Sequence, residues 1–217
     1  GEAPRPVQNR AKIEMLPGEL VQYKQNMQRY HECIEALFGS SYYAISIEKL
    51  VMMSGKSPLA REALQARNMA ASIALNSRAK LDELQEILAE NKGVRTIIFT
   101  QHNSMVYDIS GRFLIPFITH KTGKEERQDV LQRFKDGRYT AIVTSKVLDE
   151  GVDVPDAELG VIVSGTGSAR EFIQRLGRLL RPSRAGTGEE KKARLIELVS
   201  AETREETVRA GKEEARP

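Results

Sequence analysis

Between Phe172 and Arg181 the sequence places arginine and glutamine on one side of a predicted helix, the spacing in this chain best suited to chemistry. At about 100° per residue, Phe172, Ile173, Leu176, Leu179 and Leu180 cover the apolar side. Gln174, Arg178 and Arg181 fall within roughly 60° of one another on the other. Gly177 sits mid-helix, where it costs about 1 kcal/mol relative to Ala, so a close approach to the backbone is expected there. Upstream, Glu150, Gly151 and Asp153 form an acidic turn between Val147 and Val154, after a β-rich segment. A solvated basic face under an ordinary amphipathic helix would explain the arginines alone. The order Q-x-x-G-R-x-x-R behind E-G-x-D argues for a site.

Other polar residues cluster behind apolar strands. Val94–Thr100, Ile115–Thr119, Tyr139–Thr144, Leu159–Ser164 and Ala193–Val199 read as short buried strands. Helices predicted over Asn103–Arg112, Lys124–Lys135 and Ser168–Leu180 separate them. This alternation predicts a parallel sheet covered by helices on both faces, with ligands at the carboxyl ends of the strands. Gln101-His102-Asn103, His120-Lys121-Thr122, Ser145-Lys146 and Gly165-Thr166-Gly167 would then open on one edge. Each loop also has a plainer reading. Thr122 with Glu125 fits a capping box, a role compatible with phosphate held at the same helix N-terminus. No His/Cys cluster suggests a metal site, and no Ser-His-Asp order stands out.

The first third is helical. Apolar residues from Leu20 to Phe38 recur at three- and four-residue steps, Ile47–Met53 and Pro58–Leu75 predict two more helices, and Asn76 or Ser77 can cap another through Glu90. Ser54-Gly55-Lys56-Ser57 resembles the end of a phosphate-binding loop. Leu50 stands where that loop needs glycine, and the preceding segment is helical, so a helix-to-helix turn is expected. At 217 residues the chain can bury a sizeable core, and its net charge of +3, from 33 basic and 30 acidic residues, confines any nucleic-acid surface to a local patch. The single cysteine, Cys33, excludes an internal disulfide. No apolar run is long enough to span a membrane, and a cytoplasmic, soluble protein is expected.

Taken together, TSKVLDEGVDVP resembles motif V of superfamily 2 helicases, and Gln174-Arg175-Leu176-Gly177-Arg178-Leu179-Leu180-Arg181 resembles motif VI. FLIPFITHKTGKEERQDVLQRF and VIVSGTGSAREFIQRLGRLLRPS are similar to the XPB family in particular, in its archaeal form. The resemblance covers most of the chain from Lys12 to Ser200. It implies a RecA-like parallel sheet flanked by helices, a P-loop NTPase-type fold without its P-loop, and an N-terminal thumb-like helical arm. The expected divisions are residues 1–16, a segment with a possible strand; 17–75, the arm; 76–200, the C-terminal helicase domain; and 201–217, a charged tail.

By the same resemblance Arg178 and Arg181 are arginine fingers toward the γ-phosphate of ATP, and Gln174 orients them. Gly151 and Asp153 lie near the nucleotide ribose. His102, Thr122, Thr144 and Ser145 touch the phosphate backbone of DNA. No Walker A loop and no D-E-x-H box occurs in these residues. In the family those elements hold ATP with Mg in the preceding motor domain, so the chain is expected to be part of an ATP-hydrolysing DNA helicase or translocase, in nucleotide excision repair or transcription, and inactive alone. The implied partners are DNA and the N-terminal motor domain. A nuclease (in archaeal members) and the general transcription and repair factor (in eukaryotic ones) both stay open. The rival expectation is a non-enzymatic DNA-binding or partner-docking module on the same fold.

Overall fold

The computed structural model describes residues 7–39, 45–145, 157–164 and 193–203, with the backbone of 183–184 and 190–191. It divides into two contact units, one of residues 1–13 and 79–199, the other of residues 14–78 and 200–217.

The first unit is built on β1 (Val7–Ile13), β2 (Thr96–Phe99), β3 (Phe117–Ile118), β4 (Ala141–Thr144), β5 (Leu159–Ile162) and β8 (Arg194–Ser200), in the order β1-β8-β5-β2-β4-β3. Pairing is parallel from β8 through β5, β2 and β4 to β3, with Thr96 opposite both Ala141 and Leu159. A separate antiparallel pair joins β6 (Ser183–Arg184) to β7 (Glu190–Lys191). All four residues of β2 are buried, as are all four of β5. Such uninterrupted apolar strands fit a sheet covered on both faces.

Side-chain alternation divides the core in two. Ile97, Phe99, Ile142 and Ile162 pack with Val130, Leu131 and Phe134 of α6 (Lys124–Lys135). Ile98, Val143, Leu159 and Val161 pack against Leu81, Leu84 and Ile87 of α4 (Ala79–Glu90), and against Met105, Val106 and Ile109 of α5 (Asn103–Phe113).

The second unit is helical. Glu19 of α1 (Pro17–Phe38) accepts hydrogen bonds from the Leu16 N–H (3.3 Å), the Ser77 hydroxyl (2.5 Å) and the Arg78 N–H (2.9 Å). Ser77 thereby gives its hydroxyl proton to Glu19, and Asn76 ends α3 (Pro58–Leu75), its amide donating to Ser72 O at 3.1 Å. Ala60, Ala63, Ala66, Ala70 and Ala74 of α3 are all buried and recur at helical spacing. Alanines shorten the distance at which a second helix can pack, and Tyr30, Cys33 and Ile34 of α1 fill the interface. The Ser54–Ser57 stretch is the expected turn: α2 (Ile47–Ser54) buries Leu50 fully, and the Ser57 hydroxyl caps α3 by accepting from the Ala60 N–H at 3.2 Å. Among the described residues, no helix is long and apolar enough to cross a membrane.

Helix α5 ends at Leu114, which adopts the left-handed conformation (φ 54°, ψ 42°) and is 90% exposed. An L-residue there carries a steric cost of roughly 1–2 kcal/mol, and this side chain gains no packing in return. Leu114→Gly is expected to raise stability by about 0.5–1 kcal/mol, measured as a higher urea midpoint at unchanged slope.

Candidate nucleic-acid interface

Each parallel strand of the inner sheet gives way at its carboxyl end to a hydroxyl residue: Thr100 after β2, Thr119 after β3, Thr144 and Ser145 at the end of β4, and Ser164 after β5. All are buried. Where a ladder stops, peptide groups lose their strand partners, and short hydroxyl side chains can replace them. Thr100 Oγ1 and Ser164 Oγ lie 2.6 Å apart, and Ser164 Oγ also accepts from the Gln101 N–H at 3.1 Å. Thr119 Oγ1 accepts from the Lys121 N–H at 3.2 Å.

Four sequence-predicted contacts lie along this edge. Ser145, 3% exposed, donates its hydroxyl to Asn103 Oδ1 at 2.5 Å. Asn103 Nδ2 is in turn 3.1 Å from His120 Nδ1. One side chain at the start of α5 therefore ties the end of β4 to the loop after β3. Thr144 is fully buried, and among the described residues its hydroxyl has no hydrogen-bond partner. Thr122, 8% exposed, accepts from the Thr119 N–H at 2.9 Å, within a tight turn that the Thr122 N–H closes onto Thr119 O at 3.1 Å. His102 is the N-cap of α5 without capping it, and its Nε2 is buried with no partner among the described residues. The nucleotide set, Gly151, Asp153, Gln174, Arg178 and Arg181, lies outside the described residues.

The expected capping box at Thr122 and Glu125 does not form. The N-cap of α6 is Gly123, which puts Glu125 one position too early, and the Thr122 hydroxyl is engaged in its own turn. The consequence matters for the site. Among the described residues, neither α5 nor α6 has a side-chain cap bonded to its N-terminal N–H groups. Both therefore keep free donors and the positive end of the helix dipole, which suits anionic oxygens. Exposed His120, Lys121 and Lys124 flank the second of them. Among the described residues, no group of three metal-binding side chains occurs.

Sequence reasoning placed Asn103 in an edge loop without a role and passed over Thr100 and Ser164 as site residues. The signal of the last two was a hydroxyl closing each apolar run, whereas the pairing of Asn103 with Ser145 joins segments 42 residues apart.

A family profile described as "Helicase conserved C-terminal domain" matches residues 79–183. Over 155 residues the chain is 48% identical to the DNA 3'-5' translocase XPB2 of Sulfurisphaera tokodaii, an overlap of 71% of this chain and 34% of that protein. The chain carries a helicase C-terminal domain of the archaeal XPB type. Over 118 residues it is 36% identical to the general transcription and DNA repair factor IIH helicase/translocase subunit XPB of Drosophila melanogaster, 54% of this chain and 15% of that one. The chain thus spans about a third or less of these XPB relatives. In fold it is similar to the Sulfolobus solfataricus SWI2/SNF2 ATPase core in complex with dsDNA, with a TM-score of 0.65 at 18% identity, covering 95% of this chain and 43% of that one. The RecA-like sheet expected from the sequence is the one found.

Burial pushes the His102 imidazole below its ordinary value of 6.5. The neutral ring is then favoured by folding, so this contribution is complete above about pH 6.5. It is lost as pH falls through the lowered folded value, because the unfolded chain takes up the proton first. Urea midpoints of the wild type are expected to drop below pH 6.5 more steeply than those of His102→Gln.

Proposed function

We propose that this chain is the second motor half of an ATP-driven 3'-5' DNA translocase or helicase that acts in repair or transcription in the cytoplasm. The observation that carries this reading is the carboxyl edge of the sheet, where two uncapped helix N-termini stand beside the Ser145–Asn103–His120 linkage. Amide N–H groups and hydroxyls suit phosphate oxygens, and contacts of this kind position a strand without reading its bases. Thr122, Ser145 and His102 would meet one DNA strand. Thr144, whose hydroxyl is withdrawn from solvent, would join them from beneath the surface.

ATP with Mg²⁺ would be held mainly by a partner motor half that bears the Walker A and D-E-x-H elements missing from this sequence. When bound, it supplies the phosphoryl group whose transfer drives movement. On this chain, Gly151 and Asp153 would lie at the ribose. Arg178 and Arg181, oriented by Gln174, would stabilise charge on the transferring group, a role worth about 10³–10⁵ in rate. A nuclease partner, as in archaeal members of the family, belongs to the same reading.

DNA-stimulated ATP hydrolysis tests it. This chain alone is expected to be silent. In the full-length protein, Arg178→Ala should cut kcat by about 10³ with DNA affinity intact. Lost DNA or partner binding at normal turnover would instead favour a docking module.

A further inference from the structure

Lys80 breaks two local rules at once. It is a lysine with 0% exposure, although lysine is almost never fully buried. It also stands in the first turn of α4, the helix end that disfavours a cation. Such inconsistencies concentrate at functional sites. Among its interactions, Lys80 Nζ donates to the carbonyl of Val163 at 2.9 Å. Val163 follows the last residue of β5, and its N–H donates to Phe99 O at 2.8 Å.

The Val163 carbonyl belongs to the same rigid peptide unit as the nitrogen of Ser164. An amine that fixes this carbonyl therefore fixes the backbone from which the Ser164 side chain projects. Ser164 Oγ holds Thr100 Oγ1 at 2.6 Å and the Gln101 N–H at 3.1 Å. Gln101 precedes His102, the N-cap of α5, and Gln101 Oε1 is buried without a partner. A continuous path thus runs from α4 through the end of β5 to the loop after β2, all within one contact unit.

We propose that Lys80 is a positioning residue for the DNA-contacting edge. Its amine locks the Val163–Ser164 peptide, and through Ser164 it sets the Gln101-His102 loop at the mouth of α5. It touches neither DNA nor nucleotide. The claim about DNA rests on the function proposed above; the claim about the loop does not.

Amide hydrogen exchange of the 217-residue chain tests the path directly. In Lys80→Met, exchange at the Gln101 amide is expected to rise about tenfold, with the β2 amides unchanged. Ser164→Ala should give the same rise, and the double variant no more than either alone. Lys80→Arg, which keeps a donor, should protect Gln101 better than Met does. A role in packing alone would reverse that order, because Met is the closer fit to a buried lysine stem. If Lys80→Met does not fold, Lys80→Gln, polar but shorter, must release Gln101 in its place. Unchanged Gln101 exchange in a folded variant, or additive effects in the double, would overturn the proposal.

Affinity for a fluorescein-labelled DNA duplex gives the functional readout. Lys80→Met should weaken it about tenfold, as expected when a binding group shifts by a fraction of an ångström, at a melting temperature close to that of the wild type. Weaker binding that merely follows a lowered melting temperature would sink the positioning role. If the wild-type chain and the full-length protein both fail to bind the duplex, the proposed function falls, and the exchange experiment still decides the path.

Discussion

A parallel sheet buried on both faces must satisfy its peptide groups where the strands stop, and much of this domain answers to that constraint. Within β2, β4 and β5 the ladder provides, with Thr96–Phe99 paired on both sides. One residue further on, the Thr100 N–H still reaches Thr144 O and the Val163 N–H reaches Phe99 O, and beyond them the buried peptide groups need other partners. An unpaired buried peptide group costs free energy on the scale of a lost hydrogen bond. The chain meets part of this demand with Ser164, Thr119 and Thr122, small side chains that carry both a donor and an acceptor and that accept from the Gln101, Lys121 and Thr119 N–H groups. The same solution gathers hydroxyls along one edge, so the groups that close the fold are also the groups that could meet a phosphate.

How much of this was legible follows from which interactions are local. The 2.0- and 3.6-residue periods marked every described strand and helix of the inner sheet, because burial on two faces makes each strand a short apolar run. The helix over Lys124–Lys135 was read to the residue. Strand ends were read too long, Val94–Thr100 against the observed Thr96–Phe99, since apolar residues flanking a ladder look the same as those within it. The possible strand within residues 1–16 is found over Val7–Ile13, where the pairing with β8 decides its bounds. The capping error at Thr122 is instead local, since the competing bond spans three residues. Nothing in T-x-x-E says that the Thr119 N–H, left over where β3 stops, will claim that hydroxyl first. Lys80 was invisible because its carbonyl partner lies 83 residues away.

The helical unit shows the opposite balance. Its packing is set by composition close in sequence: a row of buried alanines on α3 and a matching row of larger residues on α1. The Arg29–Glu62 pair across it, 2.6 Å apart with both side chains about half exposed, contributes little. Glu19 does more, because one carboxylate accepts three bonds that would otherwise need three partners. Burial raises the Cys33 thiol above its ordinary value, which leaves it a packing residue with little nucleophilic thiolate.

The chemistry of the edge bears on how a translocase could use it. A motor must hold a strand and then let go of it, many times over. A grip made of arginines and lysines displaces counterions at every phosphate, and its strength then changes steeply with salt. Beside Lys121 and Lys124, the described edge is made of neutral donors, amide N–H groups at two helix starts and hydroxyls, with the His102 ring, whose protonation burial disfavours. Such donors are directional, so a small rotation of a loop is enough to misalign them. A relay that fixes loop position, such as the one proposed from Lys80 to Gln101, would then govern the strength of the grip without adding charge to it. The near-balance of 33 basic and 30 acidic residues fits that logic better than it fits a protein that binds DNA by field alone.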